Sequence, residues 1–513
     1  MTAAAQRGLV TGSIMLATVM QTLDSTIANV ALPHMQGSMA ATQDQIAWVL
    51  TSYIIAAAIA TPATGFLSVR FGRKKLLAIS VVGFTVTSML CGTAQTLDEI
   101  VLFRLAQGAC GAAFVPLSQA IMLDMYTMEQ RGRMMALWGV GVMVGPIVGP
   151  ALGGYLTDAY SWRWVFYINV PFGVLAFLGI MAGMAEGTLD KVRRFDWLGF
   201  TFLSLAIGAM QLMLDRGNIK DWFSANEIVF YGLLAAFAFY LFIVHSMTAK
   251  RPFIDLHLFR DRNLLVGLVL MFTVGLVLYA TMALLPPYLE TLMNYPVVTT
   301  GLVLAPRGIG TMAAMVLAGR IINRVDMRFL ISFGLALAAV SLWQMTRFNL
   351  DISERTIVTT GVVQGFGLGF IFAPLTTISF ATLPPHLRTD GTAFYSLLRN
   401  VGSSVGIATA EALVATLTQI NHATLAERMD PTNPIFRPEA MPRGLGLDSP
   451  LGLAVMNSEI TRQAAAIAYL DDFRIMMFMT ILVIPLVYLM RLPNMGGTSP
   501  AAAKEEALHA VMD

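Results

Sequence analysis

The sequence predicts an all-α membrane protein, and its composition is the first reason. Of the 513 residues, 56% are hydrophobic and only 12% are charged, and the mean hydropathy is +0.68. Soluble globular chains carry about 25% charged residues, so this composition excludes that class. The second reason is that apolar runs of about 20 residues, the length needed to cross a bilayer, recur along the whole chain.

Fourteen apolar segments account for the helices in order, and we number the predicted helices 1 to 14. They lie near residues 9–31, 46–68, 76–94, 99–123, 133–156, 163–185, 197–214, 227–246, 263–287, 297–319, 329–346, 356–381, 391–417 and 473–490. Between the last two, residues 418–472 predict a long, polar, proline-rich loop. Within that loop, the stretch from about 449 to 470 favours an amphipathic helix.

The distribution of basic residues predicts the orientation. With the N-terminus in the cytoplasm, the inner loops and tails hold about twenty Lys and Arg residues and the short outer loops about five. This asymmetry follows the positive-inside rule. An even number of helices then places both termini in the cytoplasm and the loop 418–472 outside.

Predicted helix 1 carries an isolated carboxylate, Asp24, within an otherwise uncharged stretch from about residue 9 to 33. A carboxylate at membrane depth costs several kcal/mol and therefore faces a cavity, pairs with a cation or carries protons. Asp24 is the leading candidate for the functional centre. Thr26 and Asn29 add polar groups to the same helix.

Other charged residues at depth are few. The basic ones are Arg104, Arg307 and Arg399, and the acidic ones besides Asp24 are Glu290 and Glu411. A helical rise of about 1.5 Å per residue puts Asp24 and Arg104 in the same half of the bilayer, so they can pair. The alternative for each arginine is a structural bond to backbone carbonyls. Glu290 and Glu411 lie near outer helix ends, where contact with water costs little.

The loop after helix 2 runs from Gly65 to Lys75 and includes Arg70, Gly72 and Arg73. A weaker copy, residues 319–328, follows helix 10. Two related turns in corresponding places suggest an internal duplication. The alternative is that basic residues simply mark any cytoplasmic loop.

Predicted helix 5 carries a face of small residues one turn apart. Gly141, Gly145, Gly149 and Gly153 are spaced by four, and Pro146 lies between them. Such a face lets another backbone approach closely, and proline permits bending. The pattern fits ordinary helix packing, and it also fits a seam that rocks during function.

Together these motifs resemble the major facilitator superfamily. Leu23–Pro33 is similar to the helix 1 motif of its fourteen-helix drug:proton antiporter branch, and Gly65–Lys75 resembles the superfamily's loop 2–3 motif. Arg104–Gly108 resembles the helix 4 motif, and Gly141–Gly154 the antiporter motif of helix 5. With Trp162–Pro171 and Ala373–Thr377 added, the pattern resembles EmrB-like multidrug efflux pumps. The loop departs from the family at Val69, where an acidic residue that makes an inner-gate salt bridge is usual.

The resemblance implies a major facilitator fold with fourteen transmembrane helices. Helices 1–6 and 9–14 would form two six-helix bundles, and helices 7 and 8 an inserted pair. The expected divisions are 1–190 for the first bundle, 191–262 for the inserted pair, 263–491 for the second bundle with its external loop, and 492–513 for a cytoplasmic tail.

The resemblance also implies proton-coupled export of hydrophobic drugs or toxic compounds across the bacterial inner membrane by alternating access. Asp24 would carry the proton and Arg104 would tune it. Candidates for substrate contact or gating are Thr26, Asn29, Gln107, Glu290, Arg307, Arg399 and Glu411. Expected partners are an EmrA-like periplasmic adaptor and a TolC-like outer-membrane channel. The alternatives are a specific metabolite exporter or importer of the same fold, or a membrane receptor or scaffold that transports nothing.

An enzyme is not expected, and neither is a cofactor or a metal. The chain has no Gly-x-x-x-x-Gly-Lys-Ser/Thr sequence for nucleotide phosphates. Its six His residues are scattered, and no His/Cys cluster has the spacing of a metal site.

Overall fold

Helices make up nearly all of the computed structural model, which describes residues 3–185, 195–250, 252–427 and 450–492. Each of the fourteen predicted segments is helical, and we label them α1 to α14. Their bounds are α1 Ala3–Ser38, α2 Trp48–Ala60 with Ala63–Phe71, α3 Arg73–Thr93, α4 Leu97–Gly111 with Phe114–Met125, α5 Met128–Ala159, α6 Trp164–Tyr167 with Asn169–Gly183, α7 Trp197–Gly217, α8 Asn226–Thr248, α9 Arg262–Pro287, α10 Val297–Ile321, α11 Met327–Met345, α12 Glu354–Ser379, α13 Arg388–Glu427 and α14 Pro450–Val487.

Eleven of the described helices are long and apolar enough to cross a membrane, or twelve if the two parts of α2, bent by 59°, form one span. The other two, α1 and α14, carry polar residues within their apolar stretches. In α1 these include Gln21 and Asp24, and in α14 they are Asp471, Asp472 and Arg474. The count of fourteen spans therefore stays a prediction.

The helices pack as two similar groups. In the first, which we call the N bundle, α1 packs on α5, α2 on α4, and α3 on both α4 and α6. In the second, the C bundle, α9 packs on α13, α10 on α12, and α11 on both α12 and α14. This repeated arrangement supports the internal duplication that the two related loops suggest. The helices α7 and α8 pack on each other, and α7 contacts both α2 and α13.

The loops α2–α3, α4–α5, α10–α11 and α12–α13 meet at one end of the molecule, which we call the basic end. Arg73 contacts Asp124 there, and the Asn323 side chain donates to the Glu129 carbonyl at 2.6 Å. The last part of α13 and the first part of α14 lie at the opposite end.

The prediction of a loop over 418–472 is wrong for residues 418–427 and 471–472, which are helical. Helix α13 continues to Glu427 and α14 begins at Pro450, so they contain 40 and 38 residues. At about 1.5 Å per residue each is roughly 60 Å long, about twice the thickness of the hydrocarbon core. Their outer parts, 409–427 and 450–470, form a helical pair that we call the hairpin. The helix expected near 449–470 is confirmed as part of α14.

Side-chain bonds hold the hairpin together. His422 bonds Asn457 at 3.0 Å across the pair, and Arg462 ties the pair to the turn after α9 by donating to the Leu292 carbonyl at 3.2 Å. The two hairpin helices pack on each other without a continuous apolar run in either, so their polar sequence resembles that of a loop. The rest of that loop, 428–449, and the tail expected at 492–513 lie outside the described residues, apart from residue 492.

Candidate functional site

Asp24 of α1 and Arg104 of α4 form an ion pair in the interior of the N bundle. An Arg104 Nη1 to Asp24 Oδ2 distance of 2.6 Å joins them, and both residues are 0% exposed. The pairing that their depth in the membrane allows is therefore present. Because neither group touches water, salt does not screen this pair as it screens surface pairs.

Two neutral amides complete the environment of the carboxylate. Asp24 Oδ1 accepts from Gln107 Nε2 at 2.9 Å and from Asn169 Nδ2 at 2.8 Å. Asn169 also donates to Ser88 Oγ at 2.9 Å, so α1, α3, α4 and α6 meet at this cluster. Three side-chain donors therefore converge on this one buried carboxylate. Sequence reasoning missed Asn169, although it is a polar residue in the quoted Trp162–Pro171 motif.

Arg104 has partners other than Asp24. Its Nε donates to the Val49 carbonyl at 3.1 Å and its Nη1 to Gln107 Oε1 at 2.9 Å. The guanidinium also lies 4.2 Å from the centre of the Tyr53 ring, which suits a cation–π contact. The backbone bond that was the alternative for this arginine thus coexists with the ion pair. Arg104 would keep these contacts if Asp24 lost its charge.

The glycine seam of α5 packs against α1 within the same bundle. A Cβ added at Gly145 would lie 2.4 Å from the Thr22 carbonyl carbon, and one at Gly149 would lie 2.2 Å from Thr26 Oγ1. Thr26 also donates to the Gly145 carbonyl at 3.0 Å. The seam, including Gly141, Pro146 and Gly153, therefore fixes the helix that carries Asp24, whereas Asn29 is exposed.

Other α5 residues face the C bundle. A Cβ at Gly132 would meet Ile322 at 2.5 Å, and one at Gly139 would meet Met315 at 2.9 Å. That the seam rocks during function stays a prediction, since its partner in this structure belongs to the same bundle.

A network at the basic end joins the two bundles. Asp124 of α4 pairs with Arg73, at 2.5 Å, and with Arg388 of α13. Arg73 also donates to Thr389 Oγ1 at 3.0 Å, and Thr392 donates to the Pro116 carbonyl at 3.0 Å. The family motif usually has an acidic residue at the position of Val69. In this chain the acidic partner of Arg73 and Arg388 is instead Asp124, which the sequence reasoning missed.

The rest of the loop motif supports this network. Gly72 has φ 84°, a left-handed conformation that favours glycine. A Cβ at Gly65 would overlap Asp390 of the C bundle, so glycine permits close contact between the bundles here. Arg70, in the same turn, is half-buried.

The remaining candidates lie in the C bundle, away from Asp24. Arg307 is 8% exposed and donates to the Leu278 carbonyl at 3.4 Å, and Arg399 donates to Asn400 Oδ1 at 3.4 Å. Glu411 accepts from Asn218 of α7 at 3.0 Å. Glu290 is half-buried on a π-helical turn that follows α9. The structure does not bring these four together as one cluster.

One buried carboxylate of the C bundle escaped the sequence reasoning. Asp472 of α14 is only 2% exposed. The expected loop ended at this residue, so nothing suggested that it would be buried. Only the continuation of α14 through 450–472 places it inside the bundle.

The fold and the sequence now define the class of protein. Residues 14–407 match the family described as Major Facilitator Superfamily. The chain belongs to this family of membrane transporters.

Its similar relatives are export and resistance proteins. The chain is 35% identical to the probable multidrug resistance protein EmrY of Escherichia coli, over 94% of this chain and 95% of that protein. It is also 35% identical to the multidrug export protein EmrB of the same species, over 91% and 92%. Identity to the fatty acid resistance protein FarB of Neisseria gonorrhoeae is 34%, over 95% and 97%.

Solved structures of low sequence identity share the fold. The human organic anion transporter MFSD10 aligns with a TM-score of 0.61 at 13% identity, over 94% of this chain and 99% of that one. The proton:xylose symporter XylE aligns with a TM-score of 0.61 at 12% identity, over 94% and 96%. At these identities the similarity concerns the fold alone.

Proposed function

We propose that the protein exports hydrophobic drugs or toxic compounds across the bacterial inner membrane, driven by protons that enter in the opposite direction. The observation that carries the proposal is the buried Asp24 cluster, a titratable group held at membrane depth. Relatives named for multidrug export support the substrate class. The basic end would face the cytoplasm, in keeping with the positive-inside rule.

Asp24 can alternate between two partners, the Arg104 guanidinium and a proton. In the described arrangement the carboxylate faces the Arg104 guanidinium and the side-chain amides of Gln107 and Asn169. If α1 and α4 separate, the carboxylate stays in a poorly hydrated site without its cation, and proton binding then avoids a buried charge. Arg104 keeps Val49, Gln107 and Tyr53 as partners, so the exchange does not strand a second charge. A proton is thus bound in one arrangement and released in the other.

Alternating access would follow from the network at the basic end. The polar contacts between the bundles, centred on Asp124 with Arg73 and Arg388, close that end in the described arrangement. Breaking them would open the basic end while the bundles tilt about their shared middle. Arg307, Arg399, Glu290 and Glu411 remain candidates for substrate contact or gating on the C bundle side.

The hairpin is the proposed docking element for a periplasmic adaptor, which would connect to an outer-membrane channel. Each of its two helices is about twice as long as the hydrocarbon core is thick, so the hairpin projects well beyond the membrane. Its surface exposes Ile420, Leu451, Leu453 and Val455, each at least 48%. Exposed apolar side chains on a helix pair suit helix-to-helix docking. On the proposed orientation the hairpin lies in the periplasm, where such a partner would be.

The decisive experiment uses purified protein in proteoliposomes with an acidic lumen. Molecules whose basic end faces the bath should accumulate ethidium in the lumen as protons leave. We expect Asp24→Asn to abolish this accumulation and Asp98→Asn, the same change at an exposed residue of α4, to leave it intact. Full gradient-driven uptake by Asp24→Asn would rule out the proposed role of Asp24.

A further inference from the structure

Asp472 is a buried carboxylate that the proposed mechanism does not use. It is 2% exposed, and its Oδ2 has no hydrogen-bond partner among the described residues. Its neighbours along α14, Tyr469, Phe473 and Met476, belong to a buried apolar cluster that also includes Tyr288 of the π-helical turn after α9. This environment contrasts with that of Asp24, which accepts from three side chains.

Among the described residues, the titratable groups around Asp472 supply no cation. Tyr469, on the same helix, interacts electrostatically with both Asp472 and Glu411 of α13. From the α9 side, Tyr288 has a buried hydroxyl without a partner among the described residues, and Glu290 is half-buried two residues further on. Arg474 is paired with Asp471 at 2.8 Å. The described residues of α11 present no acid or base near this level, because its Arg328 lies at the basic end and bonds Asp326 and the Met490 carbonyl.

Burying an ionised carboxylate without a cation or donors is costly, so this environment favours the neutral, protonated form of Asp472. In the same arrangement the basic end is closed and Asp24 is paired with Arg104.

Asp472 lies close to the place in the C bundle that corresponds to the Asp24 cluster of the N bundle. One helical turn from it, Met476 Sδ lies 3.9 Å from Thr281 Oγ1, and Gln364 Nε2 lies 3.4 Å from the same oxygen. These residues join α9, α12 and α14, which correspond in the repeat to α1, α4 and α6 around Asp24. The counterpart of the Asp24 cluster is thus uncharged, and the carboxylate of the C bundle lies one turn closer to the hairpin end.

We propose that Asp472 is a second proton-binding residue, located in the C bundle and loaded from the hairpin end while the basic end is closed. This proposal rests on the proton coupling proposed above. Each bundle would then contribute one titratable carboxylate, charged and paired in the N bundle and neutral in the C bundle.

Infrared spectroscopy tests proton binding without transport. A protonated carboxyl group absorbs at a carbonyl frequency distinct from that of a carboxylate. At neutral pH we expect the wild-type protein to show a band that resists exchange with bulk water and that Asp472→Asn loses. Asp471→Asn, the same change at the adjacent residue, should keep the band, and Asp472→Glu should keep it with a shift. Persistence of the band in Asp472→Asn would overturn the proposal. If Asp472→Asn fails to fold, the wild-type spectrum decides, and the lack of a protonated carboxyl band in it would also overturn the proposal.

Transport tests whether the bound proton is used. In the proteoliposome assay with ethidium, we expect gradient-driven uptake by Asp472→Asn to fall to that of vesicles without protein, while Asp471→Asn matches the wild type. Normal coupled uptake by Asp472→Asn would overturn the role in the cycle. If the wild type itself shows no gradient-driven uptake, the proton coupling of the proposed function fails, and the infrared result still decides whether Asp472 binds a proton.

Discussion

The ion pair between Asp24 and Arg104 predicts an unequal response to the loss of either partner. Arg104→Met leaves a fully buried carboxylate with two neutral donors, Gln107 and Asn169. Removing one partner of a buried pair costs about 3–5 kcal/mol, and the two amides place this variant near the lower value, about 3 kcal/mol.

Asp24→Asn should cost less. Arg104 keeps the Val49 carbonyl, Gln107 Oε1 and the Tyr53 ring. The charge is then partly compensated, so we expect a loss of about 1–2 kcal/mol. In the double variant neither charge of this pair remains, and its loss should not exceed that of Arg104→Met. The coupling energy from the double-mutant cycle is therefore at least about 1–2 kcal/mol in magnitude.

The assay is equilibrium unfolding of the purified protein in detergent micelles, followed by circular dichroism, for the wild type, both single variants and the double variant. Asp98→Asn serves as the exposed control and should change the free energy of unfolding by less than about 0.5 kcal/mol. Losses that simply add in the double variant, with a coupling energy near zero, would refute the inference of a charged, interacting pair.

Three further predictions concern the α5 seam, the network at the basic end and the hairpin. Gly145→Ala places a methyl group against the α1 backbone and should destabilise the protein by about 1–3 kcal/mol in thermal unfolding. In Gly141→Ala the added methyl meets only the flexible end of Met15, at 3.1 Å, and the protein should lose less than about 1 kcal/mol of stability. Equal losses would contradict the close approach at Gly145. Asp124→Asn should open the basic end and increase maleimide labelling of a reporter cysteine that replaces buried Thr392, and unchanged labelling would count against the network as a gate. Replacing 424–453 with a short Gly/Ser link should preserve uptake in proteoliposomes but weaken pull-down of the adaptor, and undiminished pull-down would remove the docking role.

The helices were predictable because the length and apolar composition of each segment are enough to predict a helix without knowledge of its neighbours. Every predicted segment is helical, and the depth of Asp24 and Arg104 follows from counting residues along two helices. Their pairing needed only the regular rise of the α-helix.

Contacts between distant segments were not predictable in the same way. Asn169 completes the carboxylate cluster from α6, and Asp124 replaces the missing acidic residue near Val69 from α4. Each lies far along the chain from its partner, and no local pattern links them. The continuation of α13 over 418–427 and its pairing with the start of α14 were missed, because polar helices that pack on each other lack the apolar run that marks a span.

Asp472 shows how one such error spreads. Assigning 418–472 to a loop implied that Asp472 is exposed to water, and an exposed carboxylate does not indicate a functional site. Burial on a continuous α14 changes its chemistry entirely, although the residue and its neighbours in sequence are the same.

Proton flux measured alongside substrate flux tests the central claim most directly. Proteoliposomes that enclose a pH-sensitive dye are given an ethidium gradient and no initial pH difference. For the wild type we predict that protons move opposite to ethidium and that the lumen pH changes accordingly. Asp24→Asn should produce no such change, whereas Asp98→Asn should match the wild type. Proton movement by Asp24→Asn at the wild-type ratio to ethidium would contradict the assignment of Asp24 as the coupling residue.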